Sequence, residues 1–439
     1  MDNSRRDFVK LGSLAGLGAL ALAGTGSCSG SNTETESSSK NGNQPVMLAG
    51  LTPGQLHERL KDELFNRFLP SMEELCIDKV NGGFMCDVDI LNRKMITGNK
   101  KTWYQGRGIW VYSFLYNNFE KNPRYLEIAK NAIDFILSLK PADDKFWTDL
   151  HSREGAPKSG PGDIYGDLFV AEGLAEYSKA SGDPQYLKLA KEIIFHCLER
   201  YDRPDYIYNI SYAPGNPEIK GPRVLGHWMI FLSLSSQILN QEYDPEFEKL
   251  ADRCIKAVLE SHMNSEYMIL NEVINHDLTL PDNEYAQFAV IGHGIETLAF
   301  IIAEAIRRKD PALLKRSGDA FRRHVEVAAD KLYGGYFEIL YNANDYRWAQ
   351  SKSAWCQQET LTGALLLFEQ YGDEWTRNCY SELDSWVQEK MLCREFAFWT
   401  FGGDRKVSKP NTKIIEHYHT PRYLMRNMLI LQRMINNGL

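Results

Sequence analysis

The chain has 439 residues, of which 43% are hydrophobic and 25% charged, and its formal net charge is −8 at pH 7. This composition is typical of a globular protein, and the negative balance argues against a nucleic-acid-binding surface. The length is sufficient for one large domain or for roughly two to three ordinary ones.

The N-terminal residues have the form of an export signal. Ser4–Lys10 (SRRDFVK) carries a twin arginine, a short apolar stretch follows, and TGSC ends at Cys28 as in a lipoprotein cleavage site. The apolar stretch is too short and too rich in glycine to span a membrane. We therefore predict a signal over residues 1–28, lipidation of Cys28, a flexible polar tether over residues 29–50, and an extracytoplasmic bacterial lipoprotein anchored only through this lipid. A cleaved signal without lipid is the alternative, and it predicts the same side of the membrane.

Four stretches that open with Asn-Pro or Asp-Pro predict equivalent helices. They begin at Asn122, Asp183, Asp244 and Asp310, at intervals of roughly 60 residues. Asn or Asp favours the N-cap position and proline favours the first helical position. Each stretch continues with apolar residues at the 3.6-residue period of a helix.

A second, more apolar helix precedes each of these, and further helices extend the same pattern at both ends of the chain. Self-similarity at this period predicts stacked helical hairpins. The apolar C-terminal helix can pair with the N-terminal helix that begins near Pro53, which would close a ring. We predict an all-α fold over residues 51–439, an (α/α)6 barrel of about six helical hairpins. An open superhelix is the alternative, and it would require polar helices at both ends.

Polar residues recur at the starts of the predicted inner helices. In order they are Arg107, Asp163 to Asp167, His227, His293, Gln357 with Glu359, and His419 with Arg422. Parallel inner helices place equivalent positions at one end of a barrel, so these side chains should converge on one mouth. Histidine and arginine are poor N-caps and do not suit the positive end of a helix. The pattern therefore favours a functional site.

Two histidines at one mouth suit proton transfer at carbon. Histidine exchanges protons near neutral pH, and a helix N-terminus favours the uncharged imidazole. His293 and His419 on opposite sides of a sugar can remove a proton from one face of a carbon alpha to a carbonyl and return one to the other face. We expect Glu296, one turn after His293, to orient its ring, and Arg107 or backbone N–H groups to stabilise the enolate oxygen.

The remaining histidines and the cysteines predict no metal, cofactor or disulfide framework. His293 and Glu296 have a metal-compatible spacing and His227 could add a third ligand, but there is no HExxH motif, Asp cluster or second paired motif. Besides Cys28 the chain has seven cysteines without a CxxC pair. We interpret His417 as a rim or structural residue. The same interpretation, surface or structural, applies to His57, His151, His196, His262 and His324.

Four segments, in this order, resemble motifs of the N-acylglucosamine 2-epimerase family, whose relatives include cellobiose 2-epimerases and aldose–ketose isomerases. They are WYQGRGIWVYSFLY (Trp103–Tyr116), GHGIET (Gly292–Thr297), KSAWCQQET (Lys352–Thr360) and YHTPR (Tyr418–Arg422). They are spread from Trp103 to Arg422, so the resemblance extends over nearly all of the chain after the tether. The resemblance implies an (α/α)6 barrel that acts on a small sugar without a cofactor.

The resemblance also implies roles for individual residues. His293 and His419 match the acid/base pair of the family, and Arg107 matches its essential arginine. His227 lies where isomerase and disaccharide-epimerase members have a third histidine region, and we assign it to substrate binding. The further pocket-lining positions are Glu296, Trp355, Gln357, Glu359 and Arg422. Two departures, Ala354 for the first tryptophan of a pair and Gln357 where the animal enzymes have histidine, concern the substrate more than the mechanism.

The sequence therefore predicts a 2-epimerase that interconverts an N-acyl-D-glucosamine and an N-acyl-D-mannosamine. An aldose–ketose isomerase on the same site is the first alternative. A glycoside hydrolase or lyase is the second, and it would need a carboxylate pair such as Asp167 with Glu359. A lipoprotein that only binds glycans is the third. The partner is a small sugar and not a nucleic acid, and the oligomeric state stays open, with a homodimer among the alternatives.

Overall fold

The computed structural model describes residues 46–142, 145–215, 218–393, 396–397, 400–403, 408–410 and 412–438. The predicted signal, Cys28 and most of the predicted tether lie outside the described residues. Among the helices of the described residues, none combines the length and the apolar character that crossing a bilayer requires.

Helices form most of the described chain. In chain order they are α1 (Pro53–Lys61), α2 (Leu69–Leu75), α3 (Thr102–Asn118), α4 (Pro123–Ser138), α5 (Ile164–Ser181), α6 (Pro184–Asp202), α7 (Leu225–Leu239), α8 (Pro245–Lys256), α9 (Ile291–Arg308), α10 (Pro311–Ala328), α11 (Ala354–Tyr371), α12 (Glu374–Lys390) and α13 (His419–Asn436). A π-helical stretch, Asp62–Phe68, joins α1 to α2, and another, Ala257–His262, extends α8.

The helices form a closed ring of hairpins. The inner helices α3, α5, α7, α9, α11 and α13 each contact the next, and α13 contacts both α3 and the outer helix α1. The last hairpin therefore pairs the C-terminal helix with the N-terminal one, as predicted. The (α/α)6 barrel is confirmed, and the contacts between α13 and α3 exclude the open superhelix.

The two layers of helices begin differently. Asn122, Asp183, Asp244 and Asp310 each accept a hydrogen bond from a backbone N–H of the first turn of an outer helix, which confirms the predicted caps. The N-cap residues of the inner helices α3, α7, α9, α11 and α13 make no side-chain cap. At the start of α13 the Glu416 carboxylate instead accepts the N–H of Thr420 at 2.7 Å. Among the described contacts, the N-termini of α3, α7, α9 and α11 therefore face the barrel mouth without a capping side chain.

Short antiparallel strands form the loops at this end of the barrel. They are β1 (Val88–Asp89), β2 (Lys94–Met95), β3 (Lys100–Lys101), β4 (Leu150–His151), β5 (Ile207–Asn209), β6 (Glu218–Lys220), β7 (Arg223–Val224), β8 (Met263–Asn264), β9 (Ile269–Leu270), β10 (Val273–Ile274), β11 (Ala289–Val290), β12 (Ile339–Asn342), β13 (Arg347–Trp348), β14 (Lys352–Ser353), β15 (Leu392–Cys393), β16 (Phe396–Ala397), β17 (Thr400–Gly403) and β18 (Ser408–Pro410). Strands β3, β7, β11 and β14 each lead directly into an inner helix, so their pairings fix how that helix begins.

Two loops, DKVNGGF before α3 and DKLYGGY before α11, share one construction. In each, a buried aspartate pairs with a buried lysine: Asp78 with Lys100 at 2.9 Å, and Asp330 with Lys352 at 2.9 Å. Each ammonium group also donates to the carbonyl of the first glycine of its loop. The four glycines have φ between 71° and 80°, a region in which a Cβ is unfavourable.

A glutamine in the first turn of the adjacent helix completes each loop. Gln105 accepts the N–H of Phe84 at 2.7 Å and donates to its carbonyl at 2.9 Å. Gln357 makes the same pair of bonds with Tyr336, at 2.8 and 2.9 Å. Each amide also donates to a backbone carbonyl one turn earlier in the chain. Both side chains are fully buried, so they fix a loop to a helix start.

Six cysteines are buried free thiols: Cys76, Cys86, Cys197, Cys254, Cys356 and Cys379. Cys197 and Cys254 lie in the core, as predicted.

Candidate active site

His293, His419 and Trp355 form the centre of the barrel mouth. The rings of His293 and His419 lie 5.6 and 5.7 Å from the Trp355 ring, centroid to centroid. The three residues come from the starts of α9, α13 and α11, so the structure brings the two predicted histidines to the same indole. Gly292 permits this packing, because a Cβ there would lie 2.5 Å from the Trp355 ring.

Glu272 holds the His293 ring, a role that we assigned to Glu296. The Nδ1 atom of His293 lies 3.1 Å from each carboxylate oxygen of Glu272. Glu272 is fully buried and also accepts the Tyr212 hydroxyl at 3.0 Å. Burial lowers the pKa of His293, but the Glu272 carboxylate outweighs burial and the net pKa is raised above its ordinary value.

His419 has the opposite electrostatic environment. Its Nδ1 atom lies 3.0 Å from Glu359 and 3.2 Å from the guanidinium of Arg422. Burial, and then the Arg422 charge, hold the pKa of His419 well below its ordinary value. The two histidines therefore differ in protonation near neutral pH, with His419 neutral and His293 more readily protonated.

Arg422 is the centre of a buried ionic network. Its guanidinium donates to Glu296 and, at 2.6 Å, to Glu359. It also donates to the Tyr418 hydroxyl at 3.1 Å, and that hydroxyl donates to Glu172 at 2.7 Å. Glu296 is therefore engaged by Arg422 and does not contact the His293 ring. The prediction that it orients His293 is wrong, because a buried guanidinium is the stronger partner for that carboxylate.

The hydrogen bonds define which ring nitrogen can react. A carboxylate only accepts hydrogen bonds, so Nδ1 of His293 carries a proton, and the tautomer of His419 that bonds to Glu359 carries its proton on Nδ1 as well. Among the described residues, no group bonds to Nε2 of either ring. A neutral ring then presents a basic Nε2 lone pair and a cationic ring presents an acidic Nε2–H.

Arg107 lies beside this pair and is stacked on aromatic rings. Its guanidinium carbon lies 4.0 Å from the Phe169 ring, 4.5 Å from Tyr418 and 4.9 Å from Trp103. It forms no ion pair with a described residue, its Nε has no hydrogen-bond partner there, and burial lowers its pKa. A cation without a carboxylate partner is well suited to an oxygen anion that develops in the cleft.

His227 lies behind the mouth, in a group of tyrosine rings. Its ring is fully buried, lies 4.8 Å from Tyr165 and 4.5 Å from Tyr208, and neither ring nitrogen has a described partner. Burial lowers its pKa to about 3, so the ring is neutral at physiological pH. The preceding residue, Gly226, is the one next to His293: a Cβ at this glycine would lie 3.3 Å from the His293 ring. Direct contact of His227 with substrate stays a prediction.

Two other predicted residues are placed outside the open cleft. The amide of Gln357 is occupied by three backbone hydrogen bonds, so we correct its predicted substrate contact to a positioning role. Asp167 accepts the backbone N–H of Trp147 at 3.1 Å and lines a separate cavity against α6. Burial raises its pKa to about 7, but it does not form the carboxylate pair with Glu359 that a hydrolase would need.

His417 is structural, as predicted. Its Nε2 lies 3.0 Å from the Tyr104 carbonyl, and burial lowers its pKa to about 3. His324 is also satisfied, because it bonds the carbonyl of Ala320 and accepts the N–H of Leu270.

One group of side chains has the ligand atoms of a metal site. Atoms of Glu296, Glu359 and His419 lie within 4.8 Å of one another. Arg422 donates to both carboxylates, so its positive charge already occupies the position that a cation would take. His293 and Glu296 contact different partners, which argues against the metal site considered from their spacing.

Known proteins resemble this chain along most of its length. The family model described as N-acylglucosamine 2-epimerase (GlcNAc 2-epimerase) matches residues 82–421. The N-acylglucosamine 2-epimerase of Homo sapiens is 24% identical over 357 residues, 78% of this chain and 81% of the human protein. The cellobiose 2-epimerase of Dictyoglomus turgidum is 25% identical over 372 residues, 80% of this chain and 88% of that protein.

A solved structure has the same fold. The cellobiose 2-epimerase from Bacillus thermoamylovorans aligns with a TM-score of 0.72 and 17% identity, over 86% of this chain and 99% of that structure. The family match covers more than half of the chain and includes α3, α9 and α11, with their site residues, and the start of α13. The protein therefore belongs to the N-acylglucosamine 2-epimerase family.

Proposed function

We propose that the protein is a sugar 2-epimerase that interconverts an N-acyl-D-glucosamine and an N-acyl-D-mannosamine by proton transfer at C2. One observation carries the proposal. His293 and His419 flank Trp355, and their neighbours displace their pKa values in opposite directions. Such a pair supplies a base and an acid at the same pH.

The reaction needs the open-chain form of the sugar, in which the C1 aldehyde acidifies the proton on C2. Neutral His419 removes this proton through Nε2, and the electron pair of the C–H bond forms an enolate whose oxygen is O1. Arg107 stabilises the negative charge on that oxygen. Protonated His293 then delivers a proton to the other face of C2, which inverts the carbon and restores the aldehyde. In the reverse direction the two histidines exchange roles.

The family match and the human relative favour the N-acyl monosaccharide as substrate, and the relative from Dictyoglomus turgidum makes a disaccharide the second choice. An aldose–ketose isomerase would use the same base but return the proton to C1. Identification of the product separates these two reactions. The hydrolase alternative has lost its support, because Asp167 and Glu359 belong to different sites.

The test is turnover in heavy water. N-Acetyl-D-glucosamine incubated with the enzyme should give the manno product with deuterium at C2, observed by NMR. His293→Asn and His419→Asn should each abolish exchange, whereas His57→Asn, on the outer helix α1, should retain it. A ketose product would indicate the isomerase, and turnover without deuterium incorporation would refute proton transfer through solvent-exchangeable histidines.

We also propose that the protein is exported by the twin-arginine route and anchored by lipid on Cys28. The SRRDFVK and TGSC segments support this location. Labelled palmitate should enter the wild-type protein in a bacterial host and be absent from Cys28→Ser. Replacement of Arg5 and Arg6 by lysine should retain the precursor in the cytoplasm, and unchanged fractionation of that variant would refute the route.

A further inference from the structure

A second cavity lies at the opposite end of the barrel from the histidines. It has a volume of about 400 Å³ and is lined by the C-terminal halves of α3, α5, α7, α9 and α13. The partly buried Phe114, stacked on the buried Trp110, supplies an aromatic face, and Gln237 and Gln241 supply amides. The volume lies within the range of small-molecule sites, about 300–1,000 Å³. The residues at the barrel mouth occupy the N-terminal turns of the same helices, so this cavity is distinct from the mouth.

Two cations line this cavity without a partner among the described residues. Arg426 and Lys179 form no hydrogen bond or ion pair there, although Arg426 lies 5.6 Å from the Phe300 ring. By contrast Arg433, at the rim, pairs with Glu369 at 2.6 Å. Lys179 is exposed to solvent, whereas Arg426 is partly buried. A partly buried guanidinium without a partner is costly, so Arg426 facing this cavity indicates a missing anion.

The negative groups near the cavity are already satisfied by neutral amides. Glu176 accepts hydrogen bonds from Asn117 at 2.7 Å and from Gln237 at 3.1 Å. Carbonyls near the ends of α3 and α5 accept from Asn118, Gln237 and Gln241. The Glu176 carboxylate also interacts electrostatically with Lys179 and Arg426. Two cations and one carboxylate leave a net positive charge in the lining, which favours an anion.

We propose that this cavity binds a monosaccharide that carries a carboxylate or phosphate group. The anion pairs with Arg426, the ring packs on the partly exposed Phe114, and Gln241 lies where it can bond to hydroxyls. Arg422 and Arg426, one turn apart on α13, lie 5.3 and 5.6 Å from the Phe300 ring, which connects this cavity to the ionic network at the mouth. An effect on turnover would rest on the proposed function, whereas binding does not depend on it.

Calorimetry with the purified full chain tests the site, using D-glucuronate, D-glucose 6-phosphate, inorganic phosphate and neutral D-glucose. At least one anionic sugar should bind with one-to-one stoichiometry and more weakly as salt increases, and D-glucose should not bind at this site. The two anionic sugars distinguish a carboxylate from a phosphate ligand. Inorganic phosphate that binds as tightly as the sugar phosphate would refute the contribution of the sugar ring.

Variants locate the binding. Arg426→Gln should weaken the affinity about 10- to 100-fold, the loss expected for a charge-assisted hydrogen bond. Arg203→Gln, which removes a surface charge paired with Asp205, should bind as the wild type does. Lys179→Gln provides a second test if Arg426→Gln unfolds, and it should also weaken binding. Binding that is lost in Arg107→Gln and retained in Arg426→Gln would place the anion at the mouth and overturn the proposal, as would the absence of binding by every anion.

Discussion

Replacement of Glu272 by glutamine should move one limb of the pH profile and leave the other in place. Catalysis in the proposed direction needs neutral His419 and protonated His293. Activity is therefore lost as pH falls through the depressed pKa of His419, and also as pH rises through the raised pKa of His293. Glu272→Gln keeps a hydrogen-bond acceptor beside Nδ1 but removes the charge, so only the alkaline limb should move, toward lower pH.

The structure gives the size of this effect. The Glu272 carboxylate lies 3.1 Å from Nδ1 of His293, and a hydrogen bond between charged groups contributes about 1.5–3 kcal/mol. This free energy corresponds to a factor of about 10–100 in the protonation equilibrium. Above the alkaline limb, kcat/KM of Glu272→Gln should therefore fall about 10- to 100-fold relative to the wild type.

The assay is kcat/KM for epimerisation across pH 4 to pH 10, followed by NMR, together with titration of the His293 ring proton signals. Tyr212→Phe is the matched control, because it removes a hydroxyl bonded to Glu272 at 3.0 Å and keeps the charge. Glu272→Asp should restore part of the displacement. An alkaline limb that stays in place in Glu272→Gln, or an acid limb that moves instead, would refute the assignment of His293 as the protonated partner.

Three further substitutions test the architecture of the site. Arg422→Gln removes the only guanidinium that the described contacts give to two buried carboxylates, Glu296 and Glu359, so denaturant unfolding should show a loss of about 3–5 kcal/mol, and an unchanged midpoint would contradict the network. Gln357→Ala should reduce stability by about 1–3 kcal/mol with little change in KM, because its amide bonds to backbone; a large rise in KM at unchanged stability would instead restore substrate contact. Gly226→Ala places a Cβ 2.2 Å from the Tyr165 hydroxyl and 3.3 Å from His293, so the surrounding rings must shift and kcat/KM should fall about 100-fold, whereas Gly54→Ala, with open space around it, is the control.

The barrel and its two histidines were predictable because their signals are local. The Asn-Pro and Asp-Pro starts of the outer helices combine a cap with a favourable first residue, and the structure places all four at helix starts. His293 and His419 both lie in the first turn of an inner helix, α9 and α13, and these helices are two hairpins apart. Because the inner helices are parallel, both side chains reach the same mouth. A repeat thus converts sequence spacing into spatial proximity.

Glu272 was missed because no such spacing connects it to His293. It follows strand β9, and its position depends on backbone pairing: its carbonyl accepts the N–H of Leu225 at 2.8 Å, and its own N–H donates to Phe288 at 2.9 Å. The sequence contained one clue, a single acidic residue in the apolar segment ILNEVI. A carboxylate in an apolar segment is buried and needs a partner, so this segment predicts that Glu272 pairs with a nearby histidine.

Gln357 was misinterpreted because a second internal match was overlooked. DKVNGGF and DKLYGGY agree at four of seven positions, and each precedes a helix that carries a glutamine in its first turn. Comparison of Gln105 with Gln357 would have predicted the same backbone bonds for both. A residue that recurs in the same loop-to-helix contact in two hairpins is better explained by folding than by recognition of one asymmetric sugar.

The opposite tuning of the two histidines follows from what else their carboxylates bind. Glu359 shares its charge with the Arg422 guanidinium, so it orients His419 without stabilising the imidazolium. Glu272 has only the neutral Tyr212 hydroxyl besides His293 among the described residues, so its charge acts fully on that ring. The repeat thus places two imidazoles at one mouth, and in the proposed mechanism a single arginine near one of them makes that ring the base and leaves the other as the acid.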